Sequence, residues 1–81
     1  MTRAEVGYQI FLIVKQNLCP KDEKTLTEEA SFKDLGADSL DSVEMVMEIE
    51  DAFGITISDE EANQLKTIGQ TIDYVWKKVE R

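Results

Sequence analysis

Within 81 residues, the position best suited to covalent chemistry is Ser39, set directly after Gly36, Ala37 and Asp38. Asp38 is a strong helix N-cap, which puts Ser39 in a first helical turn, where free backbone N–H groups and the helix dipole favour an attached phosphate. The bland alternative is an early-turn serine that only shapes the helix start. Nucleophilic catalysis by the usual route is closed, because the chain has no histidine and no Ser-His or Cys-His pair can form. A hydroxyl in this place is better suited to being modified than to attacking. Cys19 is the only cysteine, which excludes an internal disulfide and a cysteine-built zinc cage and fits a reducing compartment or a buried thiol.

Carboxylates crowd this serine. The chain carries 9 Lys plus Arg against 17 Asp plus Glu, a formal charge of −8. The stretch from Glu28 to Glu61 holds twelve acids against one base, Lys33, for a local −11. Self-repulsion of this kind costs stability, so its use is sought in binding: basic protein surfaces are the natural partners, while nucleic acid and anionic membranes are excluded. The acids do not follow the calcium-loop pattern, so no metal site is expected.

Four helix-start signals supply the elements that position these groups. Thr2 with Glu5 has capping-box spacing, and Val6, Ile10, Ile13, Val14 and Leu18 recur at helical intervals until Pro20. The apolar run Ile10 to Val14 also admits a buried strand, but the cap and the length of the pattern favour helix. It is far short of the roughly 20 residues that span a bilayer, and no cleavage site marks a signal peptide. Residues 20 to 38 read as a long loop with a turn around Phe32 to Leu35. Asp38 then opens a second helix that Gly54 stops. Ser58 with Glu61 opens a short third, through about Leu65. Thr67 with Gln70 opens a fourth, in which Ile68, Ile72, Val75, Trp76 and Val79 form the apolar face and Lys77, Lys78 and Arg81 suit the dipole. The fold class is therefore all-α: one domain over residues 1–81, a small four-helix bundle of three main helices and one short one, with a long loop between helices one and two.

The second helix carries more apolar surface than one buried face can hold. At about 100° per residue, Met45, Val46, Ile49 and Phe53 fall on one side with Ser42, and Leu40, Val43 and Met47 nearly opposite, beside Glu44, Glu48 and Asp51. Either the loop covers the second set, or apolar anchors among carboxylates form a docking surface for a basic partner.

The stretch Asp34-Leu35-Gly36-Ala37-Asp38-Ser39-Leu40-Asp41-Ser42-Val43-Glu44, continued by E-M-V-M-E-I-E, F-G-I-T-I-S-D-E-E-A and T-I-G-x-x-I-D-Y, resembles the acyl carrier proteins of the free-standing, type II fatty acid synthesis kind. The likeness is clear over residues 28 to 76. It implies a non-catalytic, monomeric carrier, cytoplasmic or processed into an organelle matrix, whose Ser39 bears 4′-phosphopantetheine transferred from coenzyme A by a phosphopantetheinyl transferase with Mg²⁺. Acyl groups would ride on the arm as thioesters between fatty acid synthesis enzymes. Basic patches on those enzymes would recognise Asp38, Leu40, Asp41, Val43, Glu44, Met47 and Glu48, and a pocket lined by Val46, Phe53, Ile57, Ala62 and Leu65 would shelter the chain. Departures are few. Ser58 stands where the family often has proline, Lys33 interrupts an acidic loop, and Met45 replaces a usual leucine, which bears on chain preference. The alternatives are a carrier for a polyketide or another specialised acyl pathway, and an unmodified acidic interaction module.

Overall fold

Each start signal becomes a cap. In the computed structural model, which describes residues 2–18, 24 and 26–79, the chain forms α1 (Arg3–Leu18), α2 (Ser39–Phe53), α3 (Asp59–Gln64) and α4 (Ile68–Val79). Glu5 N–H donates to Thr2 Oγ1 at 3.2 Å and Thr2 N–H to Glu5 Oε1 at 2.9 Å, a complete capping box. Thr67 and Gln70 make the same reciprocal pair. Ser58 caps α3 by accepting from Glu61 N–H at 3.1 Å, but its hydroxyl donates to the Glu61 carboxylate at 3.0 Å, so half of the box is spent on a side-chain bond. Gly54 ends α2 in the left-handed region, its N–H donating to Glu50 O at 2.8 Å. The expectations for Cys19, Pro20, Thr25 and Arg81 concern residues outside those described.

The core lies between α1, α2 and α4. Val6, Ile10 and Val14 from α1 pack with Met45 and Ile49 from α2 and Ile68, Ile72 and Val75 from α4, all buried, and Ile57 joins them from the segment before α3. Trp76 packs half-buried at its edge. No residue of α3 is fully buried, although Ala62 rests on the core, so this short helix contributes least to it. The apolar positions that sequence periodicity assigned to α1 and α4 are the ones that pack, as 3.6-residue spacing requires. The expected all-helical bundle with a long loop after α1 is the architecture found.

The loop has a structural task. Ser31 forms an isolated antiparallel bridge with Thr67. Around it, Phe32 N–H donates to Lys66 O at 3.0 Å, Ile68 N–H to Ala30 O at 3.1 Å, and Gly69 N–H to Glu28 O at 2.8 Å. A Cβ on residue 69 would lie 3.0 Å from that same Glu28 carbonyl oxygen, so glycine permits the close approach. Leu26, Ala30, Phe32 and Leu35 turn inward onto the core. The expected turn is present, with Leu35 N–H on Ser31 O and Gly36 N–H on Lys33 O.

Arg3 binds this loop to both ends of the chain. Its guanidinium makes two bonds to the Glu28 carboxylate, at 2.6 and 3.1 Å, and one to Asp73 at 2.7 Å. Arg3 holds the Glu28 carboxyl below the usual carboxylate range. A depressed folded-state value contributes stability that is present above the unfolded value and lost as pH falls through the folded one. Acid titration of unfolding below the ordinary carboxylate range should therefore show a loss that Arg3→Met reduces; an identical acid limb in the two proteins would contradict it.

Candidate functional site

Ser39 is the first residue of α2, and the two carboxylates beside it are already committed. Asp38 Oδ1 accepts from Asp41 N–H at 2.9 Å and Asp41 Oδ2 accepts from Asp38 N–H at 3.2 Å. This reciprocal box fixes the helix start without the serine. The Ser39 side chain is exposed and makes no hydrogen bond to a described residue. Its hydroxyl is accessible from outside.

Next to it opens a cleft of about 890 Å³. Ser39 lines it, with the loop residues Phe32 and Ala37, residues of α2 and α3, Val14 of α1, Thr71 of α4, and Ile57, Leu65 and Lys66 from the segments that flank α3. Of the pocket residues expected from sequence, Val46, Ile57, Ala62 and Leu65 line the cleft, and Phe53 does not; it packs half-buried on the core at the end of α2. Met45, Ile49, Phe32 and Thr71 line the cleft as well. Helical spacing places Met45 and Ile49 on the same side as Val46, but Phe32 and Thr71 are brought there by the loop crossing and by α4, which no local pattern reveals.

The outer side of α2 is open. Leu40, Val43 and Met47 are 66%, 56% and 58% exposed, so the loop does not cover them. Glu44 and Asp38 are exposed beside them, and Asp41 is partly buried in its capping role. Glu48 is exposed at the surface, yet its carboxylate accepts a hydrogen bond from the Asn17 side chain of α1, which makes it a tie between helices as well as a surface acid. Val43 and Met47 also line the cleft, so the exposed apolar face and the cleft are continuous.

A serine at a helix start that is free of capping duty, adjoining an apolar cleft on an acidic helix, has the exposure that covalent attachment of a group requires. Residues 13–75 match the family described as the phosphopantetheine attachment site. The chain belongs to that family. Among curated relatives, it is 42% identical over 79 residues to an acyl carrier protein of Thermosynechococcus vestitus, covering 98% of each chain. It is 38% identical over 78 residues to an acyl carrier protein of Chlorobium phaeobacteroides, covering 96% of this chain and all of the relative.

The cofactor of a phosphopantetheine-attachment protein is 4′-phosphopantetheine, and the site has the features this group needs. An exposed hydroxyl is available for a phosphodiester, and an apolar cavity begins beside it. Among the described residues no helix is long and apolar enough to cross a membrane.

Proposed function

We propose that this chain is an acyl carrier protein in which residues 1–81 act as one carrier domain and Ser39 bears the arm. The observation that carries the assignment is the exposed Ser39, without a hydrogen bond to any described residue, on the lining of the apolar cleft. The arm's terminal thiol supplies the chemistry, holding acyl groups as thioesters. Presenting the arm, docking and sheltering the acyl chain fall to the protein's own residues.

Loading is a group transfer at Ser39. Its oxygen attacks the phosphorus of coenzyme A that bears the pantetheine, a P–O bond forms, the pyrophosphate P–O bond breaks, and adenosine 3′,5′-bisphosphate leaves. The serine proton must go to a base of the phosphopantetheinyl transferase, because this chain has no histidine and the flanking Asp38 and Asp41 are held in the capping box. The transferase would also bring Mg²⁺. Asp38 and Asp41 therefore act by orienting the helix start.

Between enzymes, the open face of α2 serves for docking. Leu40, Val43 and Met47 provide a small apolar contact, and Asp38, Asp41, Glu44 and Glu48 steer basic partners such as the transferase and fatty acid synthesis enzymes. A shuttle needs rapid, brief complexes, and steering by charge with little buried area gives them. The cleft walls formed by Val46, Ile57, Ala62 and Leu65 shield an acyl chain from water in transit.

Intact-mass measurement after incubation with coenzyme A, Mg²⁺ and a broad-specificity transferase tests the proposal. The parent should gain one phosphopantetheine and Ser39→Ala none, with both proteins showing the same helical circular dichroism. A Ser39→Ala protein that still acquired the arm would overturn the assignment. A folded, unmodified parent that gains nothing would favour an acidic interaction module acting through the same face of α2.

A further inference from the structure

The cleft that adjoins Ser39 carries two cations that acyl shelter does not require. Lys33, from the loop, and Lys66, from the segment between α3 and α4, both line it. Their backbone segments run side by side: the residue before Lys33 donates its N–H to the carbonyl of Lys66 at 3.0 Å, next to the Ser31–Thr67 bridge. Lys33 is the only base between Glu28 and Glu61, in a stretch of charge −11 where a lysine should readily find a carboxylate. Neither ammonium makes a hydrogen bond or an ion pair with a described residue. Two acids also line the cleft, but Glu50 accepts from Ile57 N–H at 2.7 Å and Asp59 lies in the first turn of α3, where the helix dipole favours it. Lys33 and Lys66 are both exposed residues lining one partly apolar cleft, without a partner among the described residues, and an anion held between them would be stabilised by both charges.

We infer that Lys33 and Lys66 form an oxyanion-binding rim to the cleft, whose ligand is an anionic group presented by the loaded arm: its phosphodiester, or a carboxylate on the acyl group. The inference rests on attachment at Ser39. A lysine ammonium is a compact charge on a flexible stem, so the rim holds an oxyanion without the fixed fork of an arginine and releases it easily. In the carboxylate case the cargo class is the half-thioester of a dicarboxylic acid.

Melting temperatures at low ionic strength test this on the apo protein, the phosphopantetheine form, and forms loaded with hexanoyl or adipoyl, two six-carbon acyl groups without and with a terminal carboxylate. Each is measured for the parent, for Lys33→Met with Lys66→Met, and for Lys77→Met with Lys78→Met, which makes the same charge change in the last turn of α4. The rim substitutions should lower the melting temperature of the form that carries the ligand by about 2–5 °C more than that of the apo protein, and the α4 substitutions should not. An extra loss that appears already in the phosphopantetheine form assigns the phosphodiester; one confined to adipoyl assigns the carboxylate. Equal losses across all four forms, or the same differences from the α4 pair, would overturn the rim. Intact mass separates this from failure of the attachment assignment, which would show as a parent that never loads.

Discussion

Replacing Glu44 by lysine should slow association with a basic partner about tenfold at low salt, while leaving the melting temperature nearly unchanged. Glu44 is exposed on the open face of α2 within a stretch of charge −11, and steering by such a field raises association rates by factors of about 10 to 1000. Screening shortens its reach to about 8 Å at physiological ionic strength, so the difference between parent and variant should shrink as salt rises. Stopped-flow binding to a phosphopantetheinyl transferase measures it directly. Glu48 is a poorer probe, because its bond to Asn17 joins α1 to α2 and lysine there would disturb the fold as well as the field. Leu40→Ala should act on dissociation instead, since Leu40 is an apolar anchor with no packing duty in the free protein. An unchanged association rate for Glu44→Lys would argue that partners do not approach through this face.

The second large effect lies in the core. Ile10→Ala should cost about 2–5 kcal/mol, as removal of a buried isoleucine side chain does. For a domain of this length the whole stability is only about 5–10 kcal/mol. Ile10 is completely buried in the core that α1 shares with α2 and α4, so its removal leaves a cavity inside that core. Denaturant unfolding should show a midpoint shifted to much lower concentration at a similar slope, and a shift within experimental scatter would mean that the core is not organised around this residue.

Why some of this was legible in sequence and some was not follows from the range of the interactions. A cap is made within four residues, and so Thr2, Asp38, Ser58 and Thr67 mark their helix starts from sequence alone. The two apolar sides of α2 are equally local, and the structure decides between a covered and an open outer side in favour of the open one. The course of the loop was hidden because its determinants are distant in the chain: Ser31 meets Thr67, Glu28 meets Gly69, and Arg3 reaches both Glu28 and Asp73. The cleft suffered from the same limit. Periodicity groups Phe53 with Val46, but the chain turns away after Gly54 and leaves Phe53 on the core, while Phe32 and Thr71 arrive from other segments. Charge counting marked Glu48 as a surface acid and could not show that Asn17 holds it.

Thr71 illustrates how a polar residue is accommodated in such a wall. It is 2% exposed, and its hydroxyl donates to the carbonyl of Thr67, the residue that caps α4, so its donor is satisfied locally and its methyl group can face apolar neighbours.

Attachment at Ser39 is the central claim, and site-resolved mass spectrometry tests it most directly. Trypsin should release residues 34–66 as one peptide, because no lysine or arginine lies between Lys33 and Lys66. That peptide contains Ser39 together with Ser42, Thr56 and Ser58. After loading by a transferase, fragment ions should place the phosphopantetheine on Ser39, with Ser42 and Ser58 unmodified. An arm on Ser42, which lies one turn further along α2 and lines the same cleft, or on any other residue, would contradict the account.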